Sequence, residues 1–313
     1  EFIFDNSTYA IAGSQHYGYL YLRNGGRGSM LFRNGAKAYV QNIEKLSGTN
    51  WQLTMAFDNG EWIPSAGDYD FIYRGGEGMT IDCRAGGLSL SVPAAATWTV
   101  HQKFSGVGGI VKSGTGTLAF ETAAYYDTYN NERTAWSDTA SWKFTGVARV
   151  EAGTLAVANG AADAAAQVEL GSDATFRPGS ELAFGKIAGT GVVSGGGLVG
   201  CALSSVTVDG VSLTRPTFAL AVDEDGNTSG VPNFKNCAFV GKCIVDLNRT
   251  EEDPLPQDVR RYVIATFEGP VPNLGTMKVV NAGYSGAGVV KLSVEGNTIV
   301  ADICKTGFAI IVR

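Results

Sequence analysis

GGIVKSGTGTLAF, residues 108 to 120, consists almost wholly of glycine, hydroxylated residues and β-formers, with Lys112 as its one charge. It has a partner downstream. FTGVARVEAGTLAV, Phe144 to Val157, ends in the same way, so that GTGTLAF (Gly114 to Phe120) aligns with EAGTLAV (Glu151 to Val157). Each reads as a valine-bearing strand, a small-residue turn, and Gly-Thr-Leu-Ala entering a second strand. Side chains alternate between faces along a strand. Leu118 and Leu155 therefore point inward, and Thr117 and Thr154 form short ladders on the opposite face.

Weaker echoes extend the pattern. AGGLSLSV (Ala85 to Val92), GSELAFG (Gly179 to Gly185) and GTGVVSGGGLVG (Gly189 to Gly200) share its texture. Near the start, FDNSTY at Phe4, FRNGAK at Phe32 and FDNGEW at Phe57 recur at steps of 28 and 25 residues. Self-similarity at this spacing marks a stacked array of repeats. Glycine and alternation leave hardly a window for a helix. The alanine-rich run Ala158 to Leu170 fits a single helical turn or a corner loop. Alternation is plain in VKLSV, where Val290, Leu292 and Val294 share a face, and in NTIVADI, where Ile299, Ala301 and Ile303 do. Rungs of about 22 to 28 residues, stacked at about 4.8 Å, predict a rod of roughly 50 to 70 Å.

Composition agrees. Glycine supplies 42 of 313 residues, nearly twice the average share of about 7%. Charged residues are only 17%, and 44% hydrophobic content is enough for a core. Net charge is -6, and no basic cluster offers a nucleic-acid footprint. Arg260-Arg261 sits among Glu251, Glu252, Asp253 and Asp258 and reads as a solvated face. No run of 18 apolar residues exists for a membrane span. The chain opens at Glu1-Phe2 without a signal peptide or initiator Met, which reads as a mature product or a piece of a longer chain. The five cysteines are scattered and odd in number, unlike a disulfide scaffold. They read as buried small hydrophobes, with Cys237 and Cys243 as the one pair close enough in sequence to consider as a disulfide.

The two related segments resemble the autotransporter-associated β-strand repeat. Its pattern reads Gly-x-Leu-x-Lys-x-Gly-x-Gly-Thr-Leu-x-Leu, then Tyr-Thr-Gly-x-Thr-x-Val, then Gly-Thr-Leu. Lys112, Gly114, Gly116, Thr117 and Leu118 fit the first part, and Thr145, Gly146, Val150, Gly153, Thr154 and Leu155 the rest. Phe144 stands where the family has Tyr, and Arg149 follows Ala148 where Thr is common. The match covers about 50 of the 313 residues. More loosely, Tyr262, Gly283, Tyr284, Leu292, Asn297 and Ile299 resemble the closing segment of bacterial surface proteins that carry these repeats. The resemblance implies an all-β, right-handed parallel β-helix (β-solenoid) with projecting loops and capped ends, in a secreted or surface-exposed bacterial protein. The ending FAIIVR lacks the long C-terminal translocator barrel of an autotransporter. The reading is thus of a passenger piece, or of a lineage that uses the repeat without a barrel. Three segments follow: 1–105 (solenoid start or separate β domain), 106–200 (the repeat, with an insertion at 121–142) and 201–313 (further repeats and cap).

The insertion, ETAAYYDTYNNERTAWSDTASW, holds Tyr125, Tyr126, Tyr129, Trp136 and Trp142. Where a short turn would suffice, a long loop is a candidate functional element. Aromatic faces stack on sugar rings, and Asp127, Asn130, Asn131, Glu132 and Arg133 offer hydrogen bonds to hydroxyls. The competing reading packs these aromatics onto the rod as a satellite core. Asp68 and Asp70 could share a face for glycoside chemistry or calcium, against a plain solvated turn. Asp223 to Asn227 (DEDGN) begins like a calcium loop, but Phe234 stands where the bidentate Glu belongs. GGEGMT (Gly75 to Thr80) lacks the Asp of calcium-binding β-rolls. His16 and His101 are the only histidines, and no nucleophile elbow accompanies them. No cofactor or metal is called for. The expectation is a non-enzymatic stalk or adhesin contacting glycans or host and cell-surface proteins. The alternative is a carbohydrate-active β-helix enzyme, a polysaccharide lyase or glycoside hydrolase.

Overall fold

The computed structural model describes residues 2–10, 19–22, 26–40, 42–45, 51–64, 67–71, 73–74, 79–127, 132–135, 140–222, 228–249, 259–282 and 288–305. They are nearly all β, with one short 3-10 turn at Leu274–Thr276 and no α-helix. Ala158 to Leu170 holds no helix. Its first part is a loop, and Gln167 opens the strand Gln167–Pro178.

Parallel pairing dominates. In one ladder of twelve strands, from Thr8–Ala10 to Met277–Ala282, Leu88, Ile110, Ala148, Val168, Ile187, Leu203, Phe218 and Val245 lie in register on eight successive strands. A second ladder aligns Trp98, Leu118, Leu155, Phe176, Val193, Val208, Phe234 and Phe267. All sixteen are buried. Beside the second column, Thr97, Thr117, Thr154 and Thr175 align on the outer face, as alternation predicts. A third side is built first from Phe4, Phe32, Phe57 and Cys83 in register, and later from Leu182, Leu198, Leu213 and Phe239. The Phe4, Phe32 and Phe57 echoes thus stack directly, with ring centroids 4.8 and 5.2 Å apart. The corner residues after them, Asn6, Asn34 and Asn59, all have positive φ, a conformation asparagine tolerates. Twelve strands at about 4.8 Å make a ladder of roughly 50 Å.

The step from strand to strand is not uniform. It is 28 and 25 residues at the start and falls to 15 between Ala202 and Thr217. There each side takes five residues. Val193, Leu198, Leu203, Val208, Leu213 and Phe218 point inward, at most 1% exposed, and Gly200, Ser205, Gly210 and Arg215 turn the corners with φ of 50 to 68°. The ladders run unbroken across residues 105/106 and 200/201.

The two ends differ. Toward the C-terminus, Arg260–Glu268 pairs antiparallel with Thr298–Lys305, which pairs antiparallel with Gly288–Glu295. Ile299, Ala301 and Ile303 are buried there, as predicted, but Val294 on the outermost strand is exposed. Arg261 is exposed and bound to Asp302 and Glu295. At the N-terminal end, no described strand lies beyond Phe2–Asp5, so the expected cap is present at one end only among the described residues.

Candidate functional site

The insertion shows in the pairing. Phe104 pairs with Trp142, Ile110 with Ala148 and Thr117 with Thr154, steps of 37 or 38 residues. The preceding steps are 20 to 23, as between Ile81 and Phe104 or Thr97 and Thr117. The extra chain forms an antiparallel hairpin, Ala124–Asp127 with Glu132–Ala135. It docks in parallel on Tyr73–Arg74, which continues to Asn42–Lys45 and Tyr19–Leu22. The insertion is therefore the edge of a five-stranded lateral sheet. Nothing in the sequence signalled this sheet.

The predicted aromatics separate. Tyr125 and Tyr126 lie on the first hairpin strand, opposite Tyr73 and Arg74 in register. Tyr129 and Trp136 lie outside the described residues. Trp142 is not a surface residue. It is fully buried, stacked on Phe144 at 4.6 Å and edge-on to Phe184 at 5.6 Å. Its register with Phe104 makes it a core residue, and its buried Nε1 has no hydrogen-bond partner.

The foot of the insertion is a polar cluster. Ser141 Oγ donates to Glu121 O at 2.6 Å and ties the two ends of the insertion together. Ala124 N donates to His101 O at 3.0 Å. His101 Nδ1 donates to Thr122 O at 3.2 Å, which leaves Nε2 facing Asp70 Oδ1 at 3.9 Å. Gln102 Nε2 donates to Met79 O at 2.7 Å. His101, Gln102 and Ser141 make up three of the four buried polar side chains among the described residues. Of these, only the scarcity of histidine could have drawn attention in the sequence.

Asp68 and Asp70 are split between tasks. Asp68 Oδ1 accepts from Thr97 N at 2.7 Å, a bond between successive strands at the register of Tyr69 and Trp98, and Asp70 faces His101. Asp223 to Asn227 and Gly75 to Gly78 lie outside the described residues. Among the described residues no group of three or more His, Cys, Asp or Glu could hold a metal ion, and no helix is long and apolar enough to cross a membrane. Cys237 and Cys243 are free, buried thiols and form no disulfide. Cys237 Sγ is turned instead to the carbonyls of Val208 and Lys235, at 3.3 and 3.2 Å. Burial raises the thiols of Cys83, Cys201, Cys237 and Cys243 above their ordinary range, which makes them poor nucleophiles.

Compared with family models, curated proteins and solved structures, the chain matches none.

Proposed function

We propose that the chain is a right-handed parallel β-solenoid segment of a secreted or surface-exposed bacterial protein. It acts as a rod that presents the 121–142 insertion to glycans or cell-surface proteins. The step length carries this reading: the chain spends 37 or 38 residues where the preceding steps use 20 to 23. The surplus is held in an edge hairpin bearing Tyr125 and Tyr126, with Tyr129 and Trp136 beside it in sequence. The two ends of the insertion are tied together by Ser141 Oγ donating to Glu121 O, which holds the foot of the hairpin closed. The resemblance to the autotransporter-associated repeat supports the surface setting.

A glycan array tests this with the parent chain, Trp136→Ala, and a chain whose residues 125–139 are replaced by a short Gly-Ser turn. Ser141 and Trp142 are retained because they belong to the rod. Binding by the parent that weakens about tenfold or more in both variants is expected. Binding unchanged in both would place the ligand surface elsewhere. One observation favours a carbohydrate-active enzyme instead, the Asp70–His101 pair at the foot of the insertion. Polysaccharide turnover that disappears in Asp70→Asn would replace the presentation reading.

A further inference from the structure

One side of the stack stops short in mid-chain. Its inward column runs Leu182, Leu198, Leu213 and Phe239. The other two columns go on to the next turn, from Phe234 to Phe267 and from Val245 to Val279. Between those two later strands, where the third side is due, the chain reads GPVPNLGT, residues 269–276, and makes a 3-10 turn at Leu274–Thr276 instead of a strand. Pro270 and Pro272 have no N–H to give to a ladder. Among the described residues, Ala238–Val240 therefore pairs with Ser212–Thr214 alone. Ala238 N donates to Val211 O at 3.2 Å, and Val240 O accepts from Arg215 N at 2.9 Å. Alternate residues of a parallel strand serve opposite neighbours. The N–H and C=O of Phe239 thus face the side where no strand follows, and no described backbone group pairs with them.

A cleft of about 390 Å³ lies at that place. Phe239, Pro272 and the buried Cys243 form its apolar lining. The Phe239 ring is held by the rings of Phe218, Phe234 and Phe267, with centroids 6.2, 5.5 and 5.7 Å away. The polar lining is Lys242, Asn273 and Thr276, all exposed. Asn273 Oδ1 accepts from Gly275 N at 2.8 Å, and Thr276 Oγ1 donates to Asn273 O at 2.7 Å. These bonds fix both side chains and leave Asn273 Nδ2 as a donor and Thr276 Oγ1 as an acceptor. Lys242 has no ion-pair partner among the described residues.

We infer that this cleft is a binding site for a hexuronate, an acidic sugar unit. A bare anion would use the donors, Lys242, Asn273 Nδ2 and Phe239 N–H, and leave Phe239 O and Thr276 Oγ1 unmet. A neutral sugar would make no use of the ammonium, and an apolar ligand would use none of these groups. A sugar acid supplies a carboxylate for Lys242, hydroxyls for the two acceptors, and an apolar ring face for Phe239 and Pro272. The site is separate from the insertion. Its lining comes from residues 239–276, whereas the insertion docks on Tyr73–Arg74.

Methyl β-glucuronide is titrated into the full chain and followed by calorimetry. Methyl β-glucoside offers the same ring without the charge, and acetate the charge without the ring. Saturable binding of the glucuronide is expected. The glucoside binds about tenfold more weakly, the loss of one charge-assisted hydrogen bond, and acetate at equal concentration does not compete. Lys242→Gln, a change at an exposed position, brings the glucuronide down to the level of the glucoside, with an unchanged melting temperature confirming the fold. The chain whose residues 125–139 are replaced by a Gly-Ser turn binds the glucuronide as the parent does, so failure at the cleft and failure at the insertion are told apart. Absence of saturable binding by the parent, equal binding of the two glycosides, competition by acetate, undiminished binding by Lys242→Gln, or loss of binding in the shortened chain each overturns the inference.

Discussion

Lys112 occupies a position that strand alternation reserves for an apolar residue. It lies in register between Leu90 and Val150, both buried, and is itself fully buried. Its Nζ donates to Gly114 O and Ala152 O, each at 2.6 Å. Those carbonyls belong to successive turns of the chain, so the ammonium joins one turn to the next. Gly153 has φ of +72°, and a Cβ there would strike Nζ and the carbonyls of Gly114 and Gly116. The lysine and the glycine of the repeat are thus one device, a cation bridging carbonyls and the space that admits it. Lys112→Met leaves both carbonyls without their donor and should cost about 1–3 kcal/mol. Burial lowers the Lys112 ammonium to about 8. The unfolded chain, with its lysine near 10.4, holds more protons between those values, so stability rises with pH from about 8 to about 10.4. Below pH 8 both states are protonated and this contribution is constant. Urea unfolding of parent and variant at pH 7 and pH 10 checks this. The rise should appear in the parent and shrink in Lys112→Met, and equal pH dependence in the two would refute it.

Among the elements, the five-residue sides between Lys186 and Ala219 are the most economical. Two buried residues, as in Cys201 and Leu203, Val206 and Val208, or Val211 and Leu213, and one left-handed corner suffice for each. Gly200 and Gly210 have open space around their Cβ positions, so backbone conformation rather than crowding favours glycine there. Ser205, with φ of 66°, fills an equivalent corner with a residue that pays a steric penalty. Ser205→Gly should therefore raise stability by about 0.5–1 kcal/mol, and Gly210→Ser should lower it by a similar amount. Thermal melts of the two variants would show opposite shifts, and a drop in both would mean that the Ser205 side chain supports its corner. This five-residue pattern was readable at Val193, Leu198, Leu203, Val208, Leu213 and Phe218, but a search for alternation sees only strands of three residues. The longer repeat was plain because Gly-Thr-Leu-Ala recurs whole, and its inward leucines follow from period two alone. For Trp142 the sequence leaves ligand contact and core packing both open, because the aromatic-rich insertion ends beside it, and burial selects the second. The one contrary signal was Phe144, two residues on and therefore on the same face. The lateral sheet was beyond reach, since it joins segments from Tyr19 to Ala135 whose partners are fixed by the stacking of the turns that carry them.

Across the whole molecule, each strand of the main ladders meets chiefly the turns before and after it, so stability should be distributed locally rather than shared evenly. Leu213 offers the cleanest test. It is fully buried, lies in register between Leu198 and Phe239, and is far along the stack from the insertion. Leu213→Ala removes three heavy atoms from a packed column and should cost about 2–5 kcal/mol. If turns couple only to neighbours, the loss falls on the adjacent strands. Hydrogen exchange should then speed up in Gly197–Val199, Ser212–Thr214 and Ala238–Val240, while amides of Met79–Cys83 and Thr97–Val100 keep their protection. Strands near the lateral sheet have a second reason to hold, because that sheet ties together four turns of the N-terminal half through Tyr19–Leu22, Asn42–Lys45, Tyr73–Arg74 and Ala124–Asp127. A uniform rise in exchange from Met79 to Val240 would instead mean that the stacked strands open as one cooperative unit. The insertion would then share the stability of the far end, rather than being held by the braced half on which it is mounted.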